Sequence, residues 1–381
     1  MNKLKVMTVL GTRPEIIRLS RVMARLDDFT DHVIVHTGQN YDYELNELFF
    51  EELQVRSPDY FLGVGGGSLG ETLGKILSET EKVLLKEKPD AFLILGDTNS
   101  AISAIIARRM KIPVYHMEAG NRSFDKNVPE ELNRKMVDHI SDFNLVYTEH
   151  ARRHLLSEGL PHRRINLTGS PMKEVLNHHI VNIDKSKVLQ ELELEVEKYF
   201  VVSLHREENV DNEHRLRSLM HALNELAEQY NYPLIMSTHP RTRTRLNKFG
   251  INLHNLIQDM KPFGFFDYNK LQKSAYCTLS DSGTIAEESS ILNFPAITPR
   301  DSIERPEGID VGCIINTGVE VEAIIFGVET ARKFYEDRLE RGLAKCTPVD
   351  YQIDNTSERV VSLVIGTARL SNAWDGIRSN D

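Results

Sequence analysis

Apolar residues fall along this chain in short runs separated by longer amphipathic stretches. The runs are Lys5–Leu10, Val33–His36, Ala91–Leu95, Val114–His116 and Asn144–Tyr147, then Tyr199–Leu204, Pro233–Met236, Tyr276–Leu279 and Ala296–Ile297. Each is nearly continuous in β-branched or apolar residues, as a strand is when helices cover both faces of its sheet. Between the first two runs, Ile16, Ile17, Leu19, Val22, Met23 and Leu26 form a helical stripe behind Pro14, which suits a first helical turn. The alternation repeats almost throughout and predicts βαβ units with parallel sheets.

A break at Thr168-Gly169-Ser170-Pro171, followed by a charged stretch from Asp184 to Lys198, divides the pattern. It predicts a first domain over residues 1–170 and a second over 171–355. The helical pattern Val360, Val361, Leu363, Val364 and Ala368 predicts a C-terminal helix that suits either domain as a packing partner. The expected fold class is α/β, with two doubly wound, Rossmann-like domains facing each other across a cleft. Ligands of such sheets sit beyond the carboxyl ends of the strands, so functional residues are sought just after each apolar run.

Composition narrows the classes of function. The chain has 381 residues, 40% hydrophobic and 27% charged, which is ordinary for a globular protein and too long for one typical domain. A net charge of −10 argues against nucleic acid or an anionic membrane surface as the main partner. Cys277, Cys313 and Cys346 are odd in number and lack metal spacing, so they read as packing residues of a reducing compartment. No apolar run approaches the ~20 residues of a membrane span and the first residues lack a cleavage signal, so a cytoplasmic location is expected. No metal motif is present; His178-His179 reads as a solvated helix edge.

Several motifs carry candidate chemistry. Gly65-Gly66-Gly67-Ser68-Leu69-Gly70 satisfies both a dinucleotide pattern and a hydrolase pattern, but the stretch before it is a poor strand, so it reads as a flexible loop. Gly11-Thr12-Arg13-Pro14-Glu15 follows the first strand and aims backbone N–H groups and Arg13 at an anion, with Arg18 one turn further on. Asp97 ends one strand, as a cleft carboxylate or a helix cap, and Glu118 ends another; Glu130 and Glu131 follow Pro129. In the second half, His205-Arg206 and His239 occupy strand ends suited to phosphate. Ser282 and Gly283 sit in a strand–turn–helix that offers N–H groups to a diphosphate, with Glu288 one turn in for ribose hydroxyls; the other reading is a helix capped by Ser282.

Seven stretches, Gly11-Thr12-Arg13-Pro14-Glu15, Gly96-Asp97-Thr98, His116-Met117-Glu118-Ala119-Gly120, Pro129-Glu130-Glu131-Leu132-Asn133-Arg134, His205-Arg206-Glu207-Glu208-Asn209, Asp281-Ser282-Gly283 and Glu304-Arg305-Pro306-Glu307, together resemble the non-hydrolysing UDP-N-acetylglucosamine 2-epimerase family. The resemblance implies a GT-B-like fold, a homodimer, UDP bound between the domains, and a C-terminal helix, about 356–381, returning to the first domain. It implies catalytic roles for Asp97, Glu118, Glu130 and His205, and UDP-sugar contacts for Arg13, Tyr268, Ser282, Gly283 and Glu288, with Arg18 standing where lysine is usual. The implied reaction is anti elimination of UDP to a 2-acetamidoglycal followed by re-addition, which is redox-neutral and needs no cofactor.

Departures from the family pattern fall at Asn121 and Ser123, at Glu207 and at Thr284. With Phe124-Asp125-Lys126-Asn127-Val128 and Lys261-Pro262-Phe263-Gly264-Phe265-Phe266-Asp267, the chain is most similar to the capsule and O-antigen branch. That branch converts UDP-2-acetamido-2,6-dideoxy-L-talose to UDP-N-acetyl-L-fucosamine. UDP-N-acetylglucosamine/N-acetylmannosamine epimerisation is the near alternative. A hydrolysing relative, a GT-B glycosyltransferase and a non-catalytic UDP-sugar sensor stay open.

Overall fold

The computed structural model describes residues 3–39, 43–238, 240–343 and 345–377. Contacts divide the chain into two units, Met1–His178 with Asp350–Asp381, and His179–Val349.

The first unit is built on a seven-stranded parallel sheet of β1 (Lys5–Leu10), β2 (Asp31–His36), β3 (Tyr60–Phe61), β4 (Ala91–Leu95), β5 (Val114–Ala119), β6 (Phe143–Val146) and β7 (Ile165–Leu167). Their order is β3-β2-β1-β4-β5-β6-β7. The central strands are buried almost end to end, with Met7, Val9, Val35, Phe92, Ile94 and Val114 in one core beneath the crossover helices. That double coverage is why their sequences show no polar alternation. The helix Arg13–Phe29 buries the stripe Ile16, Leu19, Val22, Met23 and Leu26. The C-terminal helix Thr356–Trp374 packs against it.

The second unit repeats the scheme with six parallel strands, β8 (Phe200–Ser203), β9 (Leu234–Ser237), β10 (Ile257–Met260), β11 (Cys277–Ser280), β12 (Ala296–Thr298) and β13 (Ile315–Asn316), ordered β10-β9-β8-β11-β12-β13. Phe200, Val202, Met236, Cys277, Leu279 and Ile297 join its core with the buried face of the helix Glu213–Tyr230. The two sheets and their crossover helices make the α/β, GT-B-like architecture.

In each sheet the chain first winds one way and then the other. The strand order turns between β1 and β4 in the first unit and between β8 and β11 in the second. Such a switch point leaves a crevice at the carboxyl ends, because the two neighbouring connections leave on opposite faces.

Two local readings change. Ser68 is the N-cap of the helix Leu69–Glu87 in a reciprocal capping box with Glu71, so Gly70 is helical and the loop ends earlier than the glycine pattern suggests. His178 is exposed, but His179 is buried against Phe265 and Phe266, so the solvated edge holds for one of the pair. The charged stretch before β8 contains a short helix, Val188–Glu191. Among the described residues, no helix is long and apolar enough to cross a membrane.

Candidate active site

At the switch point of the first unit, β1 runs into the turn Gly11-Thr12 and then the helix that begins at Arg13. The turn is tightly packed: a Cβ on Gly11 would lie 2.0 Å from Thr37 Oγ1 and 2.3 Å from Ser100 Oγ. Glu15, only 1% exposed, accepts from Gly11 N–H at 2.9 Å and from Thr12 Oγ1 at 2.8 Å, and its other oxygen accepts from Thr98 Oγ1 at 3.0 Å. Burial pushes its carboxyl up to about 7, and these donors only partly offset that. Arg13 opens the helix, half-buried, and Arg18 is buried one turn on.

Asp97 follows β4 but does not cap the next helix. Thr98 does that, its Oγ1 accepting from Ser100 N–H at 3.2 Å at the start of the 3-10 helix Asn99–Ser103. Asp97 is free of the capping duty and is gripped by Arg134, which donates through Nε at 3.0 Å and through Nη2. Asn133 donates to the Asp97 carbonyl at 2.9 Å. Arg134 also donates to Glu131 at 2.8 Å, and Glu131 accepts from Ser123 N–H at 3.0 Å. The helix Pro129–Ile140 thus fixes both the Asp97 loop and the loop after β5, with Glu130 half-buried in its first turn.

Glu118 is the least ordinary residue here. Its backbone has φ +64°, left-handed for a residue with a side chain, at a register shift in the β5–β6 ladder. The carboxylate is 7% exposed and pairs with Arg18 Nη1. Behind it, His116 Nε2 lies 2.8 Å from the Gly96 carbonyl and Nδ1 lies 2.9 Å from Asp138. Asp138 also accepts from Gly120 N–H at 3.2 Å and Arg122 at 2.7 Å, so the three-residue bend has a buried ionic floor.

In the second unit one buried carboxylate organises the switch point. Asp281, 0% exposed, accepts from the N–H groups of His205 and Arg206 at 3.0 Å each and from Asn209 Nδ2 at 3.1 Å, with His205 Nδ1 at 3.1 Å. Burial pushes its carboxyl up, but the His205 charge and these donors win and hold it at about 2. The His205 ring itself is 42% exposed. Arg206 lies over the following turn: a Cβ on Gly283 would come 3.3 Å from its Nη2. No side chain caps the helix Ile285–Leu292; the Ser282 hydroxyl lies 3.0 Å from Thr284 Oγ1. Ser282 Oγ accepts from the Thr284 N–H at 3.4 Å, so it bonds the residue that starts the helix, and Thr284, not Ser282, is the N-cap.

Glu288 accepts from Gln272 at 2.9 Å one turn further along. Tyr268 is half-buried with its hydroxyl against Ser203 and Ser280 at the ends of β8 and β11, and burial raises its pKa. Arg300, 1% exposed, grips Glu304 with two hydrogen bonds at 2.8 and 3.1 Å, and Glu304 stands 4.0 Å from Arg206. Glu207, where the resembled family has arginine, pairs with Arg241. His239 lies outside the described residues.

The structure thus gathers Arg13, Arg18, Asp97 and Glu118, with Glu130 on an adjoining helix, at one set of strand ends, and His205, Arg206, Tyr268, Ser282, Gly283 and Glu288 at the other. Sequence reasoning gave no role to Glu15, Arg134, Asp281 or Arg300. Asp281 had a usable signal, an acid directly after an apolar run; the arginines had none, because their partners are distant in sequence.

Two doubly wound units, with arginine-held carboxylates at one switch point and the His205-Arg206 and Ser282-Gly283 turns at the other, mark a GT-B-like α/β enzyme. The chain belongs to the UDP-N-acetylglucosamine 2-epimerase family, whose model matches residues 24–365, and its class of activity is that of an isomerase. A UDP-N-acetylglucosamine 2-epimerase from Rickettsia bellii is similar in structure, with TM-score 0.91 and 44% identity, covering 99% of this chain and 100% of its own. The Methanocaldococcus jannaschii UDP-GlcNAc 2-epimerase in complex with UDP-GlcNAc and UDP gives TM-score 0.87 and 38% identity over 95% of this chain and 100% of its own. A Pseudomonas aeruginosa relative named UDP-2,3-diacetamido-2,3-dideoxy-D-glucuronate 2-epimerase is 33% identical over 332 residues, 86% of this chain and 92% of its own.

Proposed function

We propose that the protein inverts C-2 of a UDP-N-acetylhexosamine by eliminating and re-adding UDP. The observation that carries this reading is the pairing of carboxylates held by arginines at one switch point with an uncapped helix start beside Arg206 at the other. The C-2 hydrogen of such a sugar is not acidic in the ground state. Departure of UDP from C-1 gives oxocarbenium character that acidifies it, so the site must stabilise a leaving diphosphate while a carboxylate takes a proton. Arg13, Arg18, Arg206, His205 and the Ser282-Gly283 turn serve the diphosphate, Glu288 the ribose and Tyr268 the uracil side. Asp97, Glu118 and Glu130 carry the proton off one face of the glycal and return one to the other. The bond from C-1 to the diphosphate oxygen breaks with its electron pair on UDP, and it re-forms after reprotonation, so no oxidant or reductant enters.

Within this class we favour UDP-2-acetamido-2,6-dideoxy-L-talose as substrate and UDP-N-acetyl-L-fucosamine as product. The departures at Asn121, Ser123, Glu207 and Thr284, near the sugar and phosphate groups in this reading, support a sugar other than N-acetylglucosamine. The Pseudomonas relative supports variation of the sugar within the family. The test is product analysis by NMR after incubation with the talose derivative and with UDP-N-acetylglucosamine separately. Faster epimerisation of the 6-deoxy sugar supports the branch; faster conversion of UDP-N-acetylglucosamine overturns it and leaves the class standing. We also propose a homodimer, for which light scattering should return twice the 43.5 kDa chain mass.

A further inference from the structure

We propose that Glu15 is a positioning residue that ties the turn carrying Arg13 to the loop carrying Asp97, so that the anion-binding arm and the proton-transferring carboxylate are set by one strut. The inference rests on the 2-epimerase reading for the identity of the reaction.

Three donors converge on this one side chain. One oxygen takes both Gly11 N–H and Thr12 Oγ1, and the other takes Thr98 Oγ1, so a single side chain bridges loops 83 residues apart. Gly11 lies two residues before Arg13, and Thr98 directly follows Asp97. The bridge is stiff at both ends. Thr98 is also the N-cap of the 3-10 helix, and Ser100 of that helix lies 2.9 Å from Thr37 in the same packing that leaves no room for a Cβ on Gly11. Asp97 itself hangs between this strut and Arg134. Placing an ionisable group in a dry site is expensive, and a brace with no electrostatic purpose is cheaper as an amide or a packed apolar residue. A glutamine here keeps the Gly11 arm through its carbonyl but presents NH₂ to Thr98 Oγ1, so the Thr98 O–H loses the acceptor it has in Glu15.

The test compares Glu15→Gln, Thr98→Val and the double variant in kcat, KM, UDP binding by calorimetry and thermal unfolding, using the UDP-sugar that the wild type turns over best. Each single variant is expected to lose about 10–100-fold in kcat, as a displacement of a reacting group by a fraction of an ångström does. The double variant should lose no more than the worse single one, because both cut the same link. In Thr98→Val the loss should fall on kcat with KM and UDP affinity kept, whereas general loosening moves all of them with the melting temperature. Wild-type kcat in folded Thr98→Val, or multiplicative losses in the double variant, overturns the proposal. If Glu15→Gln does not fold, Thr98→Val decides alone. Wild-type protein that epimerises none of the UDP-sugars overturns the 2-epimerase reading itself, and with it this one.

Discussion

The two units use the same doubly wound backbone for opposite electrostatic ends. At the first switch point the Arg134 side chain is 5% exposed and the Asp97 it holds is 21% exposed, so in this pair the cation lies deeper than the acid, while Arg18 and Glu118 are buried together. At the second the order reverses, with Asp281 at 0% and His205 at 42%. In the proposed reaction the first arrangement presents a carboxylate for proton transfer, and the second presents the His205-Arg206 turn to the diphosphate. The lesson is that the strand ends supply position, while the sign of the buried partner decides which chemistry faces the ligand.

The strongest attack on this contrast is to remove acids from the first unit alone. Asp97→Asn or Glu130→Gln should lower turnover by ~10²–10⁴-fold while UDP binding, read by calorimetry, is largely kept. Turnover near wild type in either variant removes that residue from the proton-transfer set.

A second test uses the opposite pH responses of the two buried acids. Glu15 is raised from an ordinary 4.5 to about 7, so its folded form prefers the proton. Its stabilising contribution is complete below pH 4.5 and is lost as pH rises through 7, a change on the order of 3 kcal/mol. Glu15→Gln should flatten that part of the denaturation-against-pH curve, and an unchanged curve argues against a dry carboxyl at this place.

Asp281 should do the reverse. Lowered from 3.8 to about 2, it contributes stability above pH 3.8 that disappears as pH falls through 2, on the order of 2 kcal/mol. Asp281→Asn should therefore destabilise the protein at pH 7 by about that amount and weaken UDP binding, since the His205 and Arg206 backbone loses its charged acceptor. Unaltered UDP affinity in that variant breaks the claim that Asp281 sets the anion cradle. The smallest effect is expected at Glu207, whose side chain is 61% exposed. Glu207→Gln should change stability by less than ~0.5 kcal/mol in chemical denaturation, because Arg241 keeps Asp211 as a partner.

Much of this was legible in the sequence, and the misses have a common physical cause. Central strands announce themselves because both faces are covered, whereas β3, β7, β10 and β13 carry no comparable apolar run, and all four are edge strands. β10, for instance, exposes Gln258 and Asp259. The site-facing residues Asp97, Glu118, His205 and Ser282 follow apolar runs and are visible by position alone. The supports Arg134 and Asp138 work through partners that the fold brings close, as Arg134 reaches Asp97 across 37 residues, and Glu15 shows its bridging role only through Thr98, 83 residues away. The left-handed backbone at Glu118 had no signal either, because neither glycine nor asparagine marks that position.

The most direct measurement is solvent isotope incorporation: incubate the enzyme with its UDP-sugar in D₂O and follow C-2 by NMR and mass spectrometry. Deuterium at C-2 of the epimer, with UDP still attached, is the result this account requires. An epimer that keeps its original hydrogen, or a sugar released from UDP, contradicts it.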